Sequence, residues 1–333
     1  MNTFQRILVI RRDNIGDLVC TLPMIRRLRA QYPDAWIGAL VTRYNAEVLH
    51  DNPDLDAVYT YTKAKHLEHG ESRIGALIQR LRVLWRLRHA DLDLVVLPAS
   101  GEQASARRMA KIVGAKRILA QDDVPNNPDA LHEVERTANL LRGIEVSVEN
   151  LPAPQIYPRS EALEGAHQHL RADDGPLLGV HISARKPTQR WPIQNFIDTL
   201  HAMHAAQPEL RFALFWSPGD EQNPLHPGDD DKARALLDAC ADLPVKPFPT
   251  RSLSDLIAGL ATCEKVLCSD GGHMHLAAAV GKPIVCLFGK SEAARWHPWG
   301  VPYTLLQKDS QTVEDVTVDE VVGALMSLST NVS

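Results

Sequence analysis

The sequence has few cysteines and no long apolar run. Its five cysteines form no CxxC pair, so they indicate neither a disulfide framework nor a cysteine zinc site, and apolar neighbours around most of them favour free thiols in a reducing cytoplasm. No apolar run approaches the roughly 18 residues that a membrane-spanning helix needs. The "ILVI" at 7–10 is too short for the apolar core of a signal peptide, so we expect none.

Several sequence signatures are also missing. There is no P-loop GxxxxGK[ST], and neither half of the chain begins with GxGxxG, which argues against a kinase and a nicotinamide dehydrogenase. The absence of GxSxG disfavours an α/β-hydrolase esterase. No low-complexity segment or short-period repeat is visible, so a solenoid is not expected either.

The composition is that of a soluble globular protein, with 44% hydrophobic and 23% charged residues. A chain of 333 residues is long enough for two domains, each with its own core. The first 150 residues carry 21 basic and 19 acidic side chains, and the rest carry 15 and 22. An excess this small is usually solvated surface charge, with an anionic partner as the alternative, and no nucleic-acid partner is expected.

Short apolar runs alternate with amphipathic stretches along the whole chain. The runs predict strands at 6–10, 36–41, 55–61, 92–98, "RILA" (117–120), 177–182, 211–216, "VKPF" (245–248), 265–270 and 283–289. Continuous apolar runs separated by helices are typical of a parallel sheet covered on both faces. We therefore predict an α/β fold of two Rossmann-like, doubly wound domains.

A proline-containing stretch between about 145 and 178 predicts the linker between these domains. We expect an N-terminal domain over 1–160, a C-terminal domain over 175–315, and a last helix within 316–333 that packs back across both. Ligands of doubly wound sheets bind at the carboxyl ends of the strands. Candidate sites are therefore sought at strand-to-helix turns that face a central cleft.

The first such turn is "RRDNIGDLVCTLP" at 11–23. Gly16 permits a tight turn, and Asp17 behind it is either a helix N-cap or a catalytic carboxylate. Because Pro23 would kink a helix begun at Asp17, we expect the regular helix to start at Thr21. Asp17 would then lie in the preceding loop, which favours a functional role.

The second turn is "GVHISARKPTQRWP" at 179–192. Arg185, Lys186 and Arg190 cluster before a helix whose first turn holds Pro192, which predicts a phosphate site. The alternative is a solvated basic loop with Trp191 as a packing anchor.

The third turn follows the strand that ends in "KVLCSD" at 265–270. Gly271 and Gly272 allow a ligand to approach the backbone, and the helix start behind them favours a diphosphate. His275 is a candidate donor to a phosphate or a sugar, whereas His273 is expected to be packed or solvated. Their i, i+2 spacing argues against a shared zinc site, and "WHPWG" (296–300) is either a lid or packing.

The stretch "RIGALIQRLRVLWRLRH" at 73–89 combines five arginines with leucine, isoleucine and tryptophan. It fits an interfacial helix on phosphorylated lipid, with Arg80 and Arg86 in contact. A helix packed on the core with a basic outer face is the alternative, and we prefer it.

Taken together, these motifs resemble those of the family-nine glycosyltransferases, the group that contains the bacterial lipopolysaccharide heptosyltransferases. The resemblance extends over nearly the whole chain and rests on "RRDNIGDLVCTLP", "RWP" (190–192), "WSPGDE" (216–221), and "SDGGHMHLAAAVGKPIVCLFG" followed by "RWHPWG". It implies the GT-B fold, with the acceptor in the N-terminal domain and a nucleotide sugar, ADP-heptose in this family, in the C-terminal one. It also implies inverting transfer with no metal and no bound cofactor.

The resemblance assigns the general base to Asp17, with Asn14 and Gly16 on the acceptor-side turn. The donor-binding positions that it implies are Ser183, Arg185, Lys186, Gln189, Arg190, Asp270, Gly271, Gly272, His275 and Lys290. This chain departs from the family at three of its motifs. Gln189 stands where a lysine is common, "DGG" replaces "DTG" or "DSG", and "GKS" (289–291) replaces "GPT". These departures leave the donor open, and Lys290 is a candidate replacement cation.

The expected partners are a nucleotide sugar and a glycolipid or lipopolysaccharide-core acceptor. The expected location is the cytoplasm, with peripheral contact at the inner membrane face as an option. Asp220 and Glu221 either contact the ribose or form a solvated acidic turn. A nucleotide-sugar epimerase and a non-catalytic nucleotide-sugar binding protein of the same shape remain alternatives, and the presence of both Asp17 and Asp270 favours the transferase.

Overall fold

The computed structural model describes residues 4–63, 72–99, 103–125, 127–171, 175–222 and 228–329. The chain divides into two compact units, Met1–Tyr157 and Pro158–Ser333. All five cysteines are buried and free. Among the described residues, none of the helices has the length and apolar composition that crossing a bilayer requires.

The N-terminal unit is built on a parallel sheet whose described strands number five, in the order β3-β2-β1-β4-β5. The strands are β1 (Arg6–Ile10), β2 (Trp36–Thr42), β3 (Ala57–Tyr61), β4 (Leu94–Leu97) and β5 (Arg117–Ala120). The helices are α1 (Ile15–Val19), α2 (Leu22–Gln31), α3 (Arg73–Arg88), α4 (Ala104–Ile112) and α5 (Glu133–Asn139). This strand order is that of a Rossmann-like sheet.

The C-terminal unit repeats this architecture with the order β11-β10-β9-β6-β7-β8, again parallel throughout its described strands. The strands are β6 (Leu177–His181), β7 (Arg211–Trp216), β8 (Val245–Pro249), β9 (Lys265–Ser269), β10 (Ile284–Phe288) and β11 (Tyr303–Gln307). The helices are α6 (Ser160–Leu170), α7 (Ile193–Ala206), α8 (Asp230–Ala239), α9 (Leu253–Thr262), α10 (Gly272–Ala279), α11 (Ala293–Trp296) and α12 (Val318–Ser327).

The predicted strands are confirmed, and burial explains why they were readable. All five residues of β6 and of β10 are buried, as are all four of β4, because helices cover both faces of a parallel sheet. The edge strand β11 and the short helices α1, α5 and α11 were not predicted. The edge strand β11 is only partly buried and has no continuous apolar run, and α5 is a short helix that lies between loops.

The predicted break near Pro23 is confirmed. α1 ends at Val19, Thr21 occupies the N-cap of α2, and Pro23 lies in its first turn, where a missing N–H costs nothing. The helical piece expected inside the proline-containing stretch is α6, which belongs to the C-terminal unit and packs on α9. The last helix, α12, packs on α7, β10 and β11 of that same unit.

The preferred interpretation of residues 73–89, a core-packed helix with a basic outer face, is confirmed in part. Leu84 and Leu87 of α3 are buried and Arg82 and Arg86 are exposed, as expected, but the outer side also carries large apolar side chains, with Ile74, Leu81 and Trp85 all more than half exposed. The sequence could not distinguish the two sides because apolar residues lie on both.

Candidate functional site

The N-terminal unit has a cavity at the switch point of its sheet, where β1 lies between β2 and β4. Its volume is about 320 Å³, and it is lined by residues 10–14 and Asp17 after β1, and by Ala99, Gln103 and Ser105 after β4. Doubly wound sheets bind their ligands in the crevice at the carboxyl ends of the strands, at the point where the strand order reverses. Asn14 and Asp17 therefore line a cavity at the position where sheets of this kind bind ligands.

Asp17 lies inside a short helix and not in a loop, which corrects the prediction. It is the third residue of α1, and the N-cap is Asn14, so Asp17 is not the cap either. The Asn14 backbone N–H and side-chain Nδ2 donate to Asp17 Oδ2 at 3.3 and 3.0 Å, and the first of these bonds is one half of a capping box. The side chain of Asp17 is 17% exposed, so the carboxylate caps the turn and still lines the cavity.

A buried arginine holds the other oxygen of that carboxylate. Arg11 Nη2 donates to Asp17 Oδ1 at 2.8 Å and to Glu133 Oε1 at 3.1 Å, and Asp13 lies 3.2 Å from Nε. Arg11 is 1% exposed. Burial alone would lower its pKa, but the charges of Asp17, Asp13 and Glu133 raise the pKa above the ordinary value. The guanidinium therefore stays charged and fixes the orientation of Asp17.

Sequence reasoning missed Arg11 and Glu133. A charged residue directly after the buried "RILVI" strand was a signal that a partner must exist, since a buried charge needs one. The partner, Glu133, lies at the start of α5, 122 residues along the chain, and no local pattern connects the two.

Two further side chains fix the loop that follows β1. Asn45 Nδ2 donates to the Asp13 carbonyl at 3.3 Å, and Lys63 Nζ donates to the Arg12 carbonyl.

The C-terminal unit brings three predicted segments together at its own switch point, between β6 and β9. Gln189 Nε2 donates to Asp270 Oδ2 at 2.5 Å, and Ser291 Oγ donates to the same oxygen at 2.6 Å. Gln189 and Asp270 are both buried. Ser291, which sequence reasoning did not select, thus provides a hydroxyl beside Asp270 that "DGG" lacks within its own motif.

The basic loop after β6 divides into two parts. Arg185 and Lys186 are exposed and available to an anion. Arg190, in contrast, donates to the Ala184 carbonyl at 2.9 Å and pairs with Glu221 at 2.7 Å. Arg190 therefore fixes the loop against the "WSPGDE" turn.

The turn at Glu221 is an ion-pair network. Lys232 lies 2.8 Å from Glu221 and 3.0 Å from the buried Asp229, and Lys232 and Arg190 together lower the pKa of Glu221. Glu221 is thus paired with two cations of the protein itself, Lys232 and Arg190. Ser183 is buried, and its Oγ accepts from the Ser217 N–H at 2.9 Å, which joins the loop after β6 to the one after β7.

Trp191 is a packing anchor, as the alternative interpretation of the second motif had it. It is buried, and its Nε1 donates to the Val316 carbonyl at 2.9 Å. Lys290 is exposed at the end of β10, so it is accessible to an anion, but its role as a replacement cation stays a prediction.

Gly271 and Gly272 lead from β9 into α10, whose first turn contains the two histidines. His275 is buried, with Trp296 edge-on to its ring at 6.0 Å between centroids. His273 is packed, as expected: its ring stacks on that of His181 at 4.0 Å, and its Nε2 lies 2.7 Å from the Ser269 carbonyl. Burial lowers the pKa of His273 to about 4.

No candidate metal centre is found in the described ranges, where no group of three or more His, Cys, Asp or Glu side chains is arranged to hold an ion. The described side chains of the N-terminal unit provide a fixed carboxylate, Asp17. The C-terminal unit provides a second carboxylate beside a helix start and exposed cations.

Comparison with known proteins places these features in a family. The model of glycosyltransferase family 9 (heptosyltransferase) matches residues 103–323. Lipopolysaccharide heptosyltransferase 2 of Salmonella typhimurium is 26% identical over 312 residues, which cover 86% of this chain and 83% of the relative.

Two solved structures show the same fold, GT-B. The family-9 glycosyltransferase from Veillonella parvula has a TM-score of 0.81 at 18% identity, covering 97% of this chain and 96% of its own. The E. coli heptosyltransferase WaaC with ADP has a TM-score of 0.75 at 18% identity, covering 96% of this chain and 99% of its own. The predicted fold class is confirmed.

Proposed function

The chain belongs to glycosyltransferase family 9 and is a glycosyltransferase, and we propose that it catalyses inverting, metal-independent transfer of heptose from ADP-heptose to a lipopolysaccharide-core acceptor. The observation that carries this proposal is the Asp17 carboxylate, which is fixed by Arg11 and Asn14 and lines the cavity of the N-terminal unit.

In this mechanism an acceptor hydroxyl in the cavity passes its proton to Asp17 as its oxygen attacks the anomeric carbon of the donor. The new glycosidic bond forms as the bond from that carbon to the diphosphate oxygen breaks, and ADP leaves with the electron pair. One displacement inverts the anomeric configuration, through an oxocarbenium-like transition state. Asp17 suits the role of base because its orientation is set before substrate arrives.

The negative charge that develops on the departing diphosphate needs fixed positive partners. Arg185 and Lys186 are exposed beside the switch point of the C-terminal unit, and the amides at the start of α10 add the positive end of a helix. Asp270 accepts hydrogen bonds from the neutral side chains of Gln189 and Ser291, and a carboxylate held in this way is better suited to sugar hydroxyls than to phosphate. We assign it to the heptose.

The donor and acceptor follow from the relatives. Structures of E. coli WaaC contain ADP and ADP-2-deoxy-2-fluoro heptose, and the curated relatives are named for transfer to lipopolysaccharide. We extend both substrates to this chain. Because such an acceptor is anchored in lipid, we place the enzyme in the cytoplasm, at the inner face of the membrane, with neither a resident cofactor nor a nucleic-acid partner.

The decisive test replaces Asp17 by Asn. A general base contributes about 10²–10⁴-fold to the rate, so we expect turnover of ADP-heptose with a lipopolysaccharide-core acceptor to fall by that factor. Stabilisation of the protein by ADP in a thermal-shift assay should persist. Near-normal turnover in D17N would remove Asp17 from the role of base, and loss of activity in proportion to loss of stability would assign it to capping alone.

Asp13 provides the matched comparison. It is a carboxylate of the same loop, it also contacts Arg11, and its side chain is 38% exposed. Asp13→Asn removes the same charge from the same cavity, and we expect a smaller loss than for D17N, below tenfold. The reverse ranking would assign the base to Asp13.

Incubation of the wild type with donor alone distinguishes a transferase from the epimerase alternative, because an epimerase would isomerise the sugar without an acceptor.

A further inference from the structure

α3 presents a row of five large apolar side chains to solvent. Their exposed fractions are 70% for Ile74, 54% for Leu77, 43% for Ile78, 55% for Leu81 and 66% for Trp85. At about 100° per residue these positions fall within an arc of roughly 100°. The other exposed large apolar side chains of the described residues are distributed over several elements of both units, which is ordinary for a protein surface.

Among the described residues, the side of α3 that is buried is a different one. α3 is attached through a different side, where Leu84 and Leu87 are buried and the Arg80 guanidinium lies over the Tyr61 ring, 5.5 Å from its centroid. The helix packs there on β3 and α4. The five exposed side chains are therefore additional to those that hold α3 in place, and their exposure calls for a partner.

The charge of α3 indicates which partner. Residues 73–88 contain five arginines and no acidic residue, although the whole chain has a formal net charge of −5. Arg82 and Arg86 are exposed and follow Ile78 at intervals of four, so they border the apolar row along one side. A second copy of α3 would bring like charges together, whereas anionic lipid headgroups match them.

We propose that α3 is an interfacial helix that docks on an anionic phospholipid surface. The five apolar side chains enter the headgroup–acyl boundary, Trp85 lies at the level where indole rings are favoured, and Arg82 and Arg86 contact lipid phosphates. Arg80, which the sequence had paired with Arg86 in this role, is held by Tyr61 instead. The use of this contact, to reach a lipid-anchored acceptor, rests on the proposed function, but the contact itself does not.

The test is co-sedimentation of the full-length protein with vesicles that contain no glycolipid. One set is phosphatidylglycerol and phosphatidylcholine in equal parts, and the other is phosphatidylcholine alone. We expect binding to the anionic vesicles to be at least about tenfold tighter. An arginine near such a surface contributes about 1 kcal/mol, or about fivefold, so R82Q/R86Q should weaken binding about 25-fold. L77Q/L81Q should weaken it at least about tenfold.

The matched control is L131Q/M326Q, which removes two apolar side chains of similar exposure, 55% and 47%, that do not belong to α3. Its binding should stay within about twofold of wild type. Quenching of tryptophan fluorescence by bromine-labelled lipid gives a second readout, and Trp85→Phe should remove most of it. This measurement does not depend on whether the glutamine variants keep their full stability.

Three results would overturn the proposal: no binding of the wild type to either vesicle, equal losses in the α3 and control variants, or a wild-type dimer that L77Q/L81Q dissociates. The vesicle assay contains neither donor nor acceptor. Its failure therefore leaves transfer to an acceptor dispersed in detergent unaffected, and a failure of that transfer leaves vesicle binding intact.

Discussion

At the scale of single residues, the two carboxylates at the switch points are held in different ways. Asp17 faces a cation, Arg11, and the amide groups of Asn14, so its charge is balanced before any ligand binds. Asp270 is bound by Gln189 and Ser291, which are neutral. Gln189 therefore fixes one oxygen of Asp270 without adding a positive charge that would balance the carboxylate.

The packed histidine beside Asp270 gives a prediction on pH. Burial lowers the pKa of His273 to about 4, from about 6.5 for a free side chain. A depressed pKa means that the fold favours the neutral ring, so its contribution to stability is complete above pH 6.5 and is lost as the pH falls towards 4. We expect the free energy of unfolding to fall over this window, and to fall less in H273Q.

Urea unfolding followed by circular dichroism at pH 7 and pH 5 measures this difference. Glutamine keeps a side-chain N–H for the Ser269 carbonyl. His181 stacks on His273, and burial also lowers the pKa of His181, so part of the acid sensitivity should remain. The control is His167→Gln, an exposed histidine of α6. Identical pH dependence in H273Q and the wild type would show that His273 does not contribute.

At the scale of elements, the donor-side turns depend on close contact between β10 and the loop before α7. A Cβ atom on Gly289 would lie 2.0 Å from the Thr188 carbonyl oxygen, so no larger residue fits while that backbone stays in place. Thr188 directly precedes Gln189, which binds Asp270. The glycine in "GKS" is thus required by packing between two elements rather than by a turn.

Gly289→Ala should therefore displace the segment that carries Gln189. Overpacking of this kind costs about 1–3 kcal/mol, and we expect lower thermal stability together with a lower affinity for ADP-heptose. Calorimetry of unfolding and of donor titration measures both.

Gly323→Ala is the control, because a Cβ there meets nothing within 4 Å and the position lies inside α12. Alanine in a helix interior should stabilise by about 0.5–1 kcal/mol. Unchanged stability and affinity in G289A would show that the Thr188 segment moves freely.

At the scale of the whole molecule, the two units divide the chemistry. Each has its own parallel sheet and switch point, and each carries one of the two carboxylates. In the proposed function the acceptor and the donor bind to separate cores, so we expect a ligand specific for one side to lower the local unfolding of that unit first.

Hydrogen exchange of the full-length protein tests this division. A ligand at about 100 times its dissociation constant stabilises its binding state by about 2.7 kcal/mol. We expect ADP to slow amide exchange at the ends of β6, β9 and β10 and in α10. β1 and α1 should change much less. Equal or greater protection around β1 would move the donor site to the N-terminal unit.

Much of this architecture could be read from the chain. The buried strands, the helix break at Pro23 and the three glycine- or cation-rich turns follow from local rules, since periodicity, proline geometry and the absence of a Cβ act within a few residues. The family motifs are also local: each lies at the end of a strand of a parallel sheet. They could therefore be recognised in the sequence, and they indicated the fold class.

Other features were decided only by tertiary packing. The pairing of Arg11 with Glu133, the binding of Gln189 and Ser291 to one oxygen of Asp270, and the use of Arg190 to hold Glu221 each join segments that are distant in sequence. Likewise, "RIGALIQRLRVLWRLR" is apolar on two sides, and only its neighbours decide which one is buried. A helix's sequence specifies which faces are apolar, but burial is a property of what packs against them.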